Sequence, residues 1–394
     1  MTRTLPEYPW DTLVPFREKA AEHPGGVVDL SIGSPVDPTP EIVRRALTDA
    51  TDAHAYPTTV GTAELRNAII DWYARRRRVP DLEHRNVLPT IGSKELVALL
   101  PFLLGLGTGD VVVHPTAAYP SYAIGAALCD ATAVASDDPA DWPDETRLIW
   151  LNSPGNPDGR VHGIEHLRSA VARARELNAV IVNDECYAEL GWEEPWTDEP
   201  TPCILDPRVT DGNRRGILSI YSLSKQSNMA GYRAAFATGC GSVIASLTTV
   251  RKHAGLMVPA PLQHAMAVAL GDDEHVALQK SLYRRRRDVL APALDDAGFR
   301  IERSEAGLYL WVTEGRDAWD SIDRLAGMGI IGGPGHFYGD HYPNFVRLSL
   351  TASDERIDEG AARLRGCVPR HPVEKPSKSG GEPLSVVTEA GLHD

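Results

Sequence analysis

Short, continuous apolar runs alternate with helical stretches through the middle of this chain, and few folds accept that pattern. NVLPTIG, from Asn86, runs into SKELVALLPFLLGLG, VVVHP runs into SYAIGAALC, and RLIWLN leads through a loop to HLRSAVARARELN. AVIVNDE, GILSIYS and AAFATG, which ends at Gly239, complete the set. A strand that is apolar at successive positions has no face to offer water, so both faces must be covered, here by the intervening helices. The fold class is therefore α/β, a mostly parallel sheet between helical layers, and residues 41–280 read as its large domain.

The pattern then changes. A long helical stretch, HVALQKSLYRRRRDVLAPALDDAG, is followed by the short strands FRIERS, LYLWV and FVRLSLT, with helical DSIDRLAGMG and DERIDEGAARLRG between and after them. That is an α+β arrangement, read as a smaller domain over residues 281–368. Residues 1–40 hold one helical piece, WDTLVPFREKAAEH, and a Gly/Pro-rich loop, SIGSPVDPTP, and are expected to pack with the small domain. Residues 369–394 have little to bury and are expected to be disordered.

Charge and cysteine usage exclude several classes. Lys and Arg number 40 against 54 Asp and Glu, a net charge of −14, the wrong sign for a nucleic-acid binder. The runs Arg75–Arg78 and Arg284–Arg287 lie in helical stretches and are expected to be solvated helix faces. No apolar run approaches the roughly 20 residues that span a bilayer, and the first residues lack an apolar signal core, so no membrane and a cytoplasmic location are expected. Five scattered cysteines without CxxC spacing suit reduced thiols, and no metal site is expected.

One segment carries chemistry. Ser222-Leu-Ser-Lys225-Gln-Ser-Asn-Met-Ala-Gly-Tyr-Arg233 directly follows an apolar strand. Sheets of this class bind ligands beyond the carboxyl ends of their strands, and Arg's planar fork suits phosphate. Ser222, Ser224 and Arg233 could thus hold a phosphate beside the Lys225 amine, although a lone lysine is usually only solvated.

This segment resembles the lysine signature of the class I/II aminotransferases, the fold-type I enzymes that use pyridoxal 5'-phosphate. Other landmarks of that family are matched in order. Gly92-Ser93-Lys94 resembles its phosphate-cup turn, Asn152-Ser-Pro-Gly-Asn156-Pro-Asp-Gly159 its Asn-Pro-x-Gly loop, and Asp184-Glu-Cys-Tyr187 its Asp-x-x-Tyr. Phe345-Val-Arg347-Leu resembles its strand bearing the substrate-carboxylate arginine.

The resemblance implies a role for each residue. Lys225 would carry the cofactor as a Schiff base and move the substrate's α-proton. Asp184 would face the ring nitrogen, and Asn156 and Tyr187 would hydrogen-bond the phenolic oxygen. Tyr119 would stack on the ring, while Gly92, Ser93, Lys94, Ser222, Ser224 and Arg233 would line the cofactor site. Gly33, Asn156 and Arg347 would bind substrate. Tyr56 would reach the neighbouring subunit's phosphate, which implies a homodimer with a shared active site. Plain readings stand beside these: Ser93 and Asp184 are ordinary helix caps, and Tyr56 and Tyr119 ordinary packing residues.

Further stretches, among them TIGSKELVALLP, NDECYAELGW and RKHAGLMVPAPLQHAM, are similar to actinobacterial N-succinyldiaminopimelate aminotransferases. That implies ping-pong transfer of an amino group from glutamate to N-succinyl-2-amino-6-oxopimelate, in lysine and diaminopimelate synthesis. Lys94, Arg251 and Lys252 are the cations considered for the acceptor's extra carboxylates. Asp158 stands where the family has Thr, which puts the acceptor in question. The alternatives are a tailoring aminotransferase for another amino or oxo acid, and a β-lyase or decarboxylase on the same fold. A DNA-binding regulator built on this fold would need a basic domain ahead of WDTLVPF, which already starts at Trp10.

Overall fold

A computed structural model of the chain describes residues 5–6 and 9–366. The strands are β1 (Val28–Asp29), β2 (Val87–Ile91), β3 (Val111–His114), β4 (Thr132–Ala135), β5 (Thr146–Asn152), β6 (Val180–Asp184) and β7 (Ile217–Ser222). After them come β8 (Ala234–Gly239), β9 (Arg300–Ile301), β10 (Tyr309–Thr313), β11 (Ile330–Ile331), β12 (Gly333–Pro334) and β13 (Val346–Ser349). Seven form one sheet in the order β2-β8-β7-β6-β5-β3-β4. Neighbours from β4 to β7 pair parallel, while β8 is antiparallel to both β7 and β2. The carboxyl ends of β2, β3, β5, β6 and β7 and the amino end of β8 therefore share one edge.

The two faces of this sheet separate by residue parity, as a period of two requires. Ile149, Leu151, Ile181, Ile217 and Tyr221 join one core, and Leu148, Trp150, Val182, Leu218 and Ile220 join another on the opposite side. All six residues of β7 are buried, whereas three of the four in the edge strand β4 are exposed. A third core gathers Tyr283, Leu290, Leu310, Trp311, Ile322 and Leu348 around the sheet β12-β13-β10-β9. The N-terminal segment enters this third core through Leu13, Ala20 and Leu30, and β1 pairs parallel with β11. The tail 369–394 lies outside the described residues.

The arginine runs correct an expectation. Arg77 is buried against Glu185 at 3.0 Å, and Arg286 is buried between Asp37 and Asp354. Three or four successive helical residues spread most of the way around the axis, so at least one faces inward, and a buried guanidinium is tolerated only with carboxylate partners. Among the described residues no helix is long and apolar enough to cross a membrane.

Candidate active site

The shared sheet edge places the landmark residues side by side. Ile91 pairs with Ala234, so Gly92 and Arg233 are neighbours, and Ser222 pairs with Ala235 one strand over. Asn152 pairs with Asp184 in the next two strands.

The first corner is an anion cradle. Gly92 has a φ of +76° and opens the helix Ser93–Leu103, whose first N–H groups lack intrahelical partners. The Arg233 guanidinium lies so close over Gly92 that a Cβ there would stand 2.2 Å from Nη2, which with the positive φ requires glycine. Ser222 caps the turn Leu223–Gln226, and its hydroxyl lies 2.8 Å from that of Ser224. Fixed N–H groups, two hydroxyls and a guanidinium are a donor set for phosphate.

Beside the cradle lies Lys225. Its amine donates to the Gly33 carbonyl. Loss of hydration lowers its pKa, opposed by Tyr309 and Cys186 and reinforced by the nearby cations Arg347 and Arg233. Asp184 is 7% exposed and accepts from the Tyr122 hydroxyl at 3.0 Å and the Cys186 N–H at 3.2 Å. Burial raises its pKa, and the bonds from Cys186 and Tyr122 hold that rise back. Both of these hydrogen bonds come from neutral donors. A buried carboxylate in that condition suits a cationic N–H, such as a protonated pyridine nitrogen.

Arg347 closes the other side. It is 3% exposed and donates from Nη1 to Asn156 Oδ1 (2.9 Å) and from Nη2 to the Ser31 carbonyl (2.6 Å). Its guanidinium lies 3.9 Å from the centre of the Tyr309 ring and 4.9 Å from that of Tyr338. Its buried Nε–H has no partner among the described residues, an open donor that a carboxylate could satisfy. Asn156 is fixed by its N–H to Asn152 Oδ1 at 2.8 Å, and Asn152 in turn donates to the Asp184 carbonyl at 2.9 Å. The Tyr187 hydroxyl is 3.3 Å from that of Tyr309. Burial raises the Tyr187 pKa; on Tyr309 burial acts the same way, but Arg347 and Lys225 outweigh it and lower the pKa.

Lys94 stands 5.8 Å over the ring of the half-buried Tyr119. Gly33 lies so close under Tyr309 that a Cβ would meet its hydroxyl at 2.1 Å. Ser93 lies beside Cys186, next to the Asp184 loop. Tyr56 is 95% exposed, apart from this buried cluster.

Three residues depart from expectation or were not foreseen. Arg251 is fully buried and donates to both oxygens of Glu95, at 2.7 and 3.1 Å, so it is not free for a substrate. Tyr122, which holds Asp184, and Tyr309, which joins Arg347, Tyr187 and Gly33, were given no role from sequence. Their signals were present in HPTAAYPSY and SEAGLYLWV, but an aromatic in an apolar stretch reads first as packing. Lys252 is exposed on the last turn of its helix. Asp158 is neutralised by Arg303 at 2.5 Å, so it adds no unpaired anion beside the Asn-Pro loop.

A half-buried amine, a buried carboxylate without a cation and an anion cradle on one edge of an α/β sheet fit an enzyme of the pyridoxal-phosphate type. The profile described as "Aminotransferase class I and II" matches residues 25–364, and the chain belongs to that family. It is 48% identical over 363 residues to the 4-dedimethylamino-4-oxo-anhydrotetracycline transaminase OxyQ of Streptomyces rimosus, covering 92% of this chain and 99% of that one. A probable aminotransferase of Mycobacterium tuberculosis is 47% identical over 92% of this chain and 86% of its own. Among solved structures, a probable N-succinyldiaminopimelate aminotransferase of Thermus thermophilus superposes with a TM-score of 0.81 at 28% identity, over 92% of this chain and all of that one. The protein is an aminotransferase acting on amino and oxo-acid substrates, with pyridoxal phosphate as cofactor.

Proposed function

We propose that Lys225 is the lysine that bears the cofactor, with Asp184 against the ring nitrogen and the Gly92–Arg233–Ser222–Ser224 cradle holding the phosphate. The observation that carries this is the sheet register, which brings an amine, a carboxylate and an anion cradle to one edge. When bound, pyridoxal phosphate withdraws electrons from the substrate's α-carbon and carries the amino group between the two half-reactions. The chain's own residues do the rest. Asp184 keeps a proton on the nitrogen it faces. Asn156 and Tyr187 hydrogen-bond the phenolic oxygen, Tyr119 covers the ring face, and Lys94 lines the cradle with Ser93. Arg347 binds the substrate's α-carboxylate in its planar fork beside Gly33. Lys225, whose charged form is disfavoured by desolvation, takes the α-proton and returns it. Tyr56, exposed on one subunit, completes the phosphate site of a second, so the working unit is a homodimer.

For the substrates, glutamate is the donor and N-succinyl-2-amino-6-oxopimelate the acceptor. Support comes from the stretches similar to that enzyme group, which run through the catalytic motifs and beyond them into RKHAGLMVPAPLQHAM. A tailoring role is the second reading, favoured by the 48% identity to a transaminase whose name specifies a tetracycline ketone. A competition assay with glutamate as donor separates them. The first reading expects a preference of at least about tenfold in kcat/KM for the succinylated acceptor over plain 2-oxo acids, the low end of what lost charged hydrogen bonds cost. Equal or reversed preference rejects it and leaves the lysine and cradle assignments intact.

A further inference from the structure

The long helix Glu274–Asp296 turns a buried polar stripe toward the lysine segment. His275, Gln279, Tyr283 and Arg286 recur at spacings of four, four and three, one helical face, and are 9, 5, 0 and 2% exposed. Buried polar groups at helical spacing need partners, and each of these has one in the segment carrying Lys225 or in the loop that covers it.

The first rung is His275, whose Nε2 lies 2.8 Å from Ser227 Oγ while its Nδ1 lies 2.8 Å from Asp272 Oδ2. This has the form of a Ser-His-Asp triad, but Ser227 is fully buried, so no acyl substrate can reach it. It serves as an anchor for residue 227. On the second rung Gln279 accepts from Asn228 Nδ2 at 2.7 Å and donates to Asp37 Oδ2 at 2.8 Å. The third is the Tyr283 hydroxyl, which donates to the Lys225 carbonyl at 3.4 Å. On the fourth, Arg286 holds both oxygens of Asp37, at 2.8 and 2.5 Å.

Asp37 belongs to the stretch 31–39, which crosses the site as a strap. Arg347 donates to the Ser31 carbonyl, Ser349 and Thr351 to the Ile32 carbonyl, and Lys225 to the Gly33 carbonyl. At its far end Thr39 donates to the Asn228 carbonyl at 2.9 Å, and Asn228 to the Pro38 carbonyl at 3.3 Å. The strap thus touches the candidate carboxylate-binding arginine at its first residue, Ser31, and the lysine two residues on, at Gly33. Its Asp37 is clamped by the same helix that holds the lysine segment. Burial alone would push the Asp37 carboxyl up, and Arg286 and Gln279 hold it below the ordinary range.

We infer that Gln279 and Arg286 are positioning residues for the reaction: through Asp37 they fix the 31–39 strap so that the Gly33 carbonyl holds the Lys225 amine in place. This rests on the assignment of Lys225 to the cofactor. The chemistry demands such a device. A lysine on four rotatable bonds samples many rotamers, and a displacement of about 1 Å can cost on the order of a hundredfold in rate. Gln279 reads both sides at once, its amide oxygen toward the lysine segment and its amide nitrogen toward the strap, so it couples the two.

The test uses full-length protein stripped of cofactor and mixed with pyridoxal phosphate. It follows three quantities: the rate of borohydride-trappable covalent attachment, the noncovalent affinity from tryptophan quenching, and the melting temperature of each variant. Asp37→Asn keeps the strap's shape and removes the charge that Arg286 holds. Gln279→Met keeps the volume and removes both amide bonds. Each should slow covalent attachment by about tenfold or more, with noncovalent affinity changed by less than about threefold. The double variant should be no more than about threefold slower than the slower single one, because both release the same strap. Attachment within twofold of the parent in both single variants would overturn the inference. So would slowing that tracks melting temperature and disappears on cooling, since that is the mark of a merely structural role. A Lys225→Ala control that still traps at the parent rate would instead overturn the lysine assignment, and this proposal with it.

Discussion

Replacing Asp184 with Asn should move stability and activity in opposite directions. The carboxylate is buried, and its two hydrogen bonds come from the Tyr122 hydroxyl and the Cys186 N–H, both neutral. Without the cofactor it bears a desolvation cost that these bonds only partly offset, as its raised pKa records. The linkage sign follows from that shift. A carboxyl with a raised folded pKa favours folding below its ordinary value of 3.8, and that advantage is lost as pH rises through the folded value. Above that range the cofactor-free protein carries the desolvation cost. Asn keeps the shape and can serve both partners, its Oδ1 taking the Cys186 N–H and its amide donating to a rotated Tyr122 hydroxyl. Removing a poorly compensated buried charge is worth about 1–3 kcal/mol. The cofactor-free variant should then melt about 2 °C or more above the parent at pH 7 and lose that advantage near pH 4. Activity should fall by roughly 10²–10³-fold in kcat, the scale of losing one preorganised electrostatic partner. Differential scanning calorimetry of stripped protein and steady-state transamination kinetics measure the two. A variant that is less stable without cofactor and equally active would refute the reasoning, and would make Asp184 a structural cap.

Three further outcomes follow from the same geometry. Arg347→Ala should lower kcat/KM for glutamate by about tenfold to a hundredfold, the worth of a charged hydrogen-bond pair, and Arg347→Lys should recover little of it because the planar fork is lost; initial rates across a glutamate series decide this. Asp158→Thr removes a partly exposed ion pair with Arg303, so urea denaturation should show a loss of about 1 kcal/mol or less while kcat/KM stays within about twofold. Tyr56→Phe should weaken pyridoxal phosphate binding, and sedimentation should find no active monomer, whereas an active monomer would rule out the shared site.

What could be read in the sequence depended on whether a residue's partner was close in the chain. The apolar runs gave the α/β class because burial on both faces leaves no polar positions, and β6 and β7 show that burial. Lys225, Ser222, Ser224 and Arg233 were legible because one short segment holds them all. The Asp184 loop could be found because it ends a strand, but its donor Tyr122 lies 62 residues away. Arg303, which answers the doubt raised by Asp158, is separated from it by 145 residues. Arg77 and Arg286 looked solvated because a run of four arginines carries no sign of which one faces inward. The strap was legible only as a Gly/Pro-rich loop, since Asp37 finds Gln279 and Arg286 more than 240 residues on. Long-range pairing of polar groups leaves no local pattern.

Whether Lys225 holds the cofactor can be read from a single peptide map. The holoenzyme is reduced with borohydride, digested and mapped by mass spectrometry for the phosphopyridoxyl group. The expected result is one modified site, Lys225, in the peptide that contains Ser222 and Ser224. A label on Lys94, Lys252 or any other lysine, with Lys225 unmodified, would contradict it.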